Sequence, residues 1–133
     1  MSAAPFVWPA RVYYEDTDAG GVVYHARYLH FLERARTEWL RSIGIDQSRL
    51  KQERGLVFVV SRLSLSFRRP AKLDDELFAS CVLAERRGAS LRFTQELRQA
   101  KSGELLLDAE VLAACVNADS FRPAALPRDL FPE

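Results

Sequence analysis

Between Tyr28 and Ile43 the apolar residues Tyr28, Phe31, Leu32, Ala35, Trp39 and Ile43 recur at steps of three, one, three, four and four, the face of a helix. Arg27, Glu33, Arg34, Arg36, Glu38 and Arg41 take most of the other positions, and Gly44 is the expected stop. Asp46 is placed to cap a short second helix that ends at Gly55. Beyond Gly55 the period drops to two. Val57, Val59, Leu63, Leu65 and Phe67 fall on one face of a strand, with Ser61 the only polar residue among them. On the other face Phe58 and Val60 give way to Arg62, Ser64, Ser66 and Arg68, and Pro70 with Asp74 and Asp75 ends the segment. Leu77 to Arg86 reads as a strand and Gly88 marks a hairpin. Leu91, Phe93 and Leu97 then alternate with Arg92, Thr94, Glu96 and Arg98. A turn at Ser102 and Gly103 precedes the long run from Leu105 to Val116. At the front, Val12 and Tyr14 alternate with Arg11 and Tyr13, a short strand running into Glu15, Asp16 and Asp18 before Gly20 and Gly21 break it.

One strand, one long amphipathic helix and four strands joined by tight turns predict an α+β domain with antiparallel pairing. Such a sheet can wrap around the apolar stripe of the helix. Its edge strands would be exposed in a monomer, so pairing with a second copy is expected. A length of 133 residues suits one domain spanning 1–133, with a core large enough to need neither metal nor disulfide. Residues 1–9 and the proline- and arginine-rich 120–133 are expected to be loosely packed. The 48% hydrophobic and 28% charged residues exclude a disordered chain. With 19 basic and 18 acidic residues the net charge is +1, which argues against an extended nucleic-acid surface. No apolar run reaches the roughly 20 residues of a membrane span, and the first residues lack the basic and apolar regions of a secretion signal. Cys81 and Cys115 sit apart in strand-like runs and read as buried, reduced thiols of a cytoplasmic protein.

The chain has no nucleophile elbow, P-loop, dinucleotide-binding turn or paired-histidine zinc motif. Its one dense polar constellation runs from Tyr14 through Glu15, Asp16, Asp18, Gly20 and Gly21 to His25. That order sets carboxylates and a tight glycine turn directly before a long helix, whose first turn offers unpaired N–H groups and partial positive charge. A carbonyl lodged there would be polarised, and a facing carboxylate could attack it or deprotonate a water. A thioester suits so sparse a machine, because its leaving thiol, with a pKa near about 8.5, departs without a strong general acid. The same residues also fit a capped, solvated turn in which Asp and Gly serve the backbone alone. From the residues by themselves both readings stand.

The run Tyr13-Tyr14-Glu15-Asp16-Thr17-Asp18-Ala19-Gly20-Gly21-Val22-Val23-Tyr24-His25-Ala26, followed by Tyr28 and by Phe31 to Glu38, closely resembles the 4-hydroxybenzoyl-CoA thioesterase family. Within that family it is most similar to the acyl-CoA thioesterases associated with the Tol–Pal system. The resemblance is nearly continuous from Val12 to Arg41 and looser through Phe58 to Val60, Arg69 to Asp75, Gly88 to Leu91 and Ala125 to Pro127. It implies a hotdog fold, a five-stranded antiparallel sheet wrapped around one long central helix. It implies a homodimer whose sheets join, often paired again into a homotetramer, with sites near the subunit interface.

The activity implied is hydrolysis of an acyl-CoA thioester without cofactor or metal, with acyl carrier protein as the other carrier to consider. Asp18 matches the catalytic aspartate, as nucleophile or as base toward water. The backbone N–H near His25 matches the donor that polarises the carbonyl, and Tyr14 and the His25 side chain match substrate-binding positions. Arg27 departs from the pattern, standing where many relatives carry a small or amide residue, and is expected to alter access to the acyl pocket. Asp16 is expected to shape the loop, and His30 to lie at the surface. Arg62, Arg68, Arg69, Lys72, Arg86 and Arg87 are candidates for holding CoA phosphates. Two rival functions are a hydratase or dehydratase acting on acyl-CoA or acyl carrier protein with His25 as base, and a non-catalytic acyl-CoA or acyl-carrier-protein binding module.

Overall fold

Asp46 and Gly55 mark the ends of a short helix by opposite devices. The Asp46 carboxylate accepts the N–H groups of Ser48 and Arg49, and Gly55 closes the helix at φ +65°, where a side chain would be strained. This helix, α2 (Gln47–Arg54), follows α1 (Tyr28–Ser42). The computed structural model describes residues 5–131. Its strands are β1 (Phe6–Arg11), β2 (Leu56–Phe67), β3 (Glu76–Arg87), β4 (Ser90–Gln99) and β5 (Leu105–Asn117). They form one antiparallel sheet in the order β1-β3-β4-β5-β2. The sheet packs on α1, giving the five-stranded sheet and long helix of the hotdog fold.

α1 buries Tyr28, Phe31, Leu32, Ala35 and Leu40. Its first half joins Val12, Val23, Ala71, Leu77, Leu97 and Leu107 in one apolar cluster. Its second half joins a second cluster with Cys81, Leu91, Phe93, Val111 and Cys115. The expected stripe overshoots by one residue. The helix ends at Ser42, so Ile43 is 44% exposed and Ile45, beyond the glycine, is buried instead. Between the helix and the sheet the buried Gln95 amide donates to the carbonyls of Leu32 and Ser80, both at 3.1 Å. Its oxygen accepts from Arg36 at 3.0 Å.

Three expectations need correction. The first strand lies earlier than Val12 to Tyr14. β1 pairs Phe6 with Cys81 and Arg11 with Glu76, and the chain then turns because the Asp16 carboxylate accepts the Tyr13 N–H at 2.8 Å. Phe6 to Pro9 are therefore an edge strand and not a loose terminus. The other terminus is tied down as well. Leu126 and Phe131 are buried in the second cluster, Phe131 meets the Phe58 ring at 5.9 Å, and the Leu126 N–H bonds Gly88 at 3.1 Å. Residues 1–4 and 132–133 of the termini expected to be loose lie outside the described residues.

The third correction concerns β2. A bulge at Ser61 shifts its register on β5 between Val60 and Arg62. Ahead of the bulge Phe58 pairs with the buried Cys115, and after it Leu63 and Leu65 pair with the buried Val111 and Ala109. The face turned to the helix thus passes from even to odd positions, and Val57 and Val59 lie on the opposite side. β2 is also an edge of the sheet and exposes Val60, Leu63 and Phe67.

Candidate active site

Two short crossings close the loop that carries the carboxylates. Thr17 bridges Val23, and Val22 bridges Lys72 in the segment after β2. The Val23 N–H bonds Ala71 at 2.8 Å and the Tyr24 N–H bonds Asp16 at 2.9 Å. At the tip the Asp18 N–H bonds Val22 at 2.9 Å and its carbonyl accepts from Gly21 at 3.0 Å, where Gly21 takes φ +83°. Asp18 Oδ1 accepts the Gly20 N–H at 2.8 Å. Among the described residues Oδ2 has no hydrogen-bond partner, so one oxygen is anchored and the other is free.

Asp16 behaves differently. It is 5% exposed, accepts the Tyr13 N–H, and lies 3.0 Å from Arg27 Nε. A second Arg27 nitrogen donates to the Glu15 carbonyl at 3.2 Å. Asp16 is thus the shaping carboxylate that the sequence suggested, and Arg27 ties the loop to the start of the helix.

That start is a single 3₁₀ turn, His25–Arg27, running directly into α1. Its first internal bond is Arg27 N–H to Tyr24, 2.8 Å. The N–H groups of His25 and Ala26 come before it and have no acceptor among the described residues. The His25 ring lies 4.5 Å from Tyr24, tilted by 54°.

A cleft of about 280 Å³ gathers Asp18, Val22, His25 and Tyr28 with Phe67, Arg68, Arg69 and Pro70. Asp18 and His25 therefore come together as the sequence suggested, and Tyr14 does not join them. Tyr14 is 82% exposed on the 3₁₀ turn ahead of the loop and does not line the cleft of its own chain. The sequence reading missed Tyr28 and the end of β2 as cleft residues. The Tyr28 hydroxyl accepts the Ala71 N–H at 3.0 Å, and burial raises its pKa, with Asp18 and Asp75 adding to the rise. Only the register at Val22 and Lys72 could have brought Phe67 and Pro70 to Asp18, and no residue pattern announces it. Arg68 and Arg69, foreseen as phosphate contacts, stand at the rim. Arg68 pairs with Asp108 at 2.9 Å and Arg69 is 3.9 Å from Glu104.

The two cysteines are free and buried and do not line this cleft. No group of three or more His, Cys, Asp or Glu among the described residues is arranged to hold a metal, and no described helix is long and apolar enough to cross a membrane. Chemically, the cleft brings the Asp18 carboxylate together with His25, which opens the turn before the helix, and with the apolar side chains of Val22, Phe67 and Pro70.

A profile of the thioesterase-like superfamily matches residues 12–131. The chain is 48% identical over 133 residues to the acyl-CoA thioester hydrolase YbgC of Escherichia coli O6:H1, covering 100% of this chain and 98% of that one. It is 48% identical over 125 residues to the acyl-CoA thioesterase YbgC of Haemophilus influenzae, covering 94% and 90% respectively. Among solved structures, a probable thioesterase from Bartonella henselae superposes with a TM-score of 0.81 at 38% identity, covering 94% of this chain and 100% of that one.

Proposed function

The chain belongs to the thioesterase-like superfamily, and from that premise we propose that it hydrolyses acyl-CoA thioesters to the free acid and CoA, with Asp18 as the reacting carboxylate. The observation that carries this reading is the divided Asp18 carboxylate, one oxygen held by Gly20 N–H and the other unbonded, in a cleft shared with the free end of a helix. The thioester carbonyl points its oxygen at the N–H groups of His25 and Ala26. Negative charge developing there is met by donors already in position, and one such donor is typically worth about 3 to 4 kcal/mol of barrier. Asp18 Oδ2 either attacks the acyl carbon or takes a proton from an attacking water. The carbon–sulfur bond then breaks and CoA leaves as thiolate, which needs no strong acid. Where Asp18 itself has attacked, water then cleaves the acyl–Asp18 anhydride, releasing the acid and restoring the carboxylate. His25 borders the acyl carbon, and Tyr14 contributes to substrate binding from the loop outside the cleft.

The exposed guanidinium groups of Arg68 and Arg69 suit phosphate oxygens, whether of CoA or of the phosphopantetheine arm of an acyl carrier protein. The working form is a single-domain homo-oligomer, dimer or tetramer, a reading supported by the exposed apolar side chains along the β2 edge. A cytoplasmic location beside the Tol–Pal envelope system rests on the sequence resemblance, and affinity purification from envelope-associated fractions tests it.

The test of the chemistry is Asp18→Asn assayed by thiol release. The circular dichroism spectrum should stay that of the parent while turnover falls by about 10² to 10⁴. Turnover at the parent rate would overturn the assignment, and dehydration of the acyl group without thiol release would replace it.

A further inference from the structure

A second opening lies further along α1. It has a volume of about 230 Å³ and is walled by Leu40, Phe58, Val60, Leu91 and Phe93, with Arg36 and Thr37 among its polar residues. Apolar pockets with a few fixed polar groups are the usual form of a small-molecule site. Arg36 is the unusual member. Its described hydrogen bond is to Gln95 Oε1, and no carboxylate pairs with it among the described residues, although Glu33 also lines the opening. Gln95 is 1% exposed and is locked through Leu32 and Ser80, so the guanidinium is held at one end and leaves its other donors to the pocket. Burial lowers the Arg36 pKa, the sign of a cation stripped of part of its water.

The Asp18 cleft and this pocket border the same two elements, at Tyr28 and Phe67 in one case and at Arg36 and Val60 in the other. Tyr28 and Arg36 are about 12 Å apart along the helix axis. We propose that Arg36, positioned by Gln95, is a specificity-determining residue, and that the pocket takes the far end of an acyl group bearing a hydrogen-bond-accepting oxygen, either a hydroxyl or a carboxylate. This rests on the acyl-CoA hydrolase reading. A plain hydrocarbon end leaves the half-desolvated guanidinium without an acceptor, whereas an oxygen there restores what water provided.

The experiment compares thiol release from decanoyl-CoA, ω-hydroxydecanoyl-CoA and sebacoyl-CoA, whose ten-carbon chains match that separation, by the wild type, Arg36→Met and Arg36→Lys. The wild type should favour an oxygen-bearing acyl group over decanoyl by about 10- to 100-fold in kcat/KM. Arg36→Met should erase that ratio, and Arg36→Lys, which keeps the charge and loses the fork, should retain part of it. Preference for sebacoyl-CoA alone assigns a carboxylate, and preference for both oxygen-bearing groups assigns a neutral acceptor. Should Arg36→Met fail to fold, the wild-type ratio and the lysine variant still decide. No wild-type preference, or one that survives intact in Arg36→Met, overturns the proposal and leaves the hydrolase reading standing. No thiol release from any of the three by the wild type overturns both.

Discussion

Arg27 Nε sits 3.0 Å from Asp16 Oδ1, and that contact joins the start of the helix to the base of the loop carrying Asp18. Asp16 is buried, and its carboxylate is met by this partner and by the Tyr13 N–H. The Asp18 loop and the start of the helix are set relative to each other by a pair that includes neither Asp18 nor His25. Arg27 was expected to act on access to the acyl pocket. Its contacts with Asp16 and Glu15 make it a brace, and it does not line the Asp18 cleft of its own chain.

Removing the brace should therefore cost both order and rate. Arg27→Ala strands a buried carboxylate and is expected to lower stability by about 1 to 3 kcal/mol in urea unfolding. It should also lower kcat by roughly tenfold or more with a smaller change in KM, because misplacement by a fraction of an ångström weakens the attack more than it weakens binding. Arg27→Lys should recover part of the stability. A variant with parental kcat and an unchanged unfolding midpoint would show the pair to be idle.

Phe58 and Val59 test the bulge at Ser61. Unbroken alternation puts Val59 inward with Leu63 and Phe67. The register puts Phe58 inward, against Cys115 and the Phe131 ring. Phe58→Ala should cost about 2 to 4 kcal/mol and Val59→Ala less than about 1 kcal/mol. The reverse order would mean that β2 runs without its bulge.

The helices and turns were legible because their signals are local. Asp46 and Gly55 bracket α2, and Gly44 ends α1, each through its own backbone or a neighbour's. The bulge was not legible, since a polar Ser61 within an apolar run fits either a break in the face or a tolerated serine. Asp18 and His25 were found together because one short loop carries both. Phe67 and Pro70 reach the same cleft from a distant part of the chain, through the bridge between Val22 and Lys72, and nothing in their own pattern marks them. The first strand was misplaced for a third reason. The Asp16 carboxylate captures the Tyr13 N–H, and that local bond defeats the alternation of Val12 and Tyr14.

Burial pushes the Cys81 thiol up to about 12, with Arg36 pulling weakly the other way. In the unfolded chain the same thiol ionises near its ordinary value, about 9. Its contribution to stability is therefore complete below about pH 9 and is lost as the pH rises from there towards about 12. Through that window it should remove roughly 1.4 kcal/mol per pH unit. Cys81→Ala removes this slope and keeps whatever other groups contribute. Stability measured in urea from about pH 8 to 10.5 should fall less steeply in the variant than in the parent. Equal slopes would mean that the thiolate is tolerated in the fold.

Gly20 and Gly21 separate two ways of disturbing the loop. Gly20 has an ordinary backbone, but a Cβ placed there would meet Asp18 Oδ1 at 3.2 Å. Gly21 has open space around it and φ +83°, so a Cβ there strains the backbone and touches nothing. Gly20→Ala is thus expected to move the Asp18 carboxylate by a few tenths of an ångström and, if that carboxylate reacts as proposed, lower kcat about tenfold, with less than about 0.5 kcal/mol lost in stability. Gly21→Ala should cost about 1 to 2 kcal/mol and disturb kcat less. Thermal unfolding and thiol release on the two variants give opposite rankings if Asp18 reacts through the position that the Gly20 N–H holds. If Gly20→Ala turns over as fast as the parent, the anchored geometry of Asp18 is not what sets the rate.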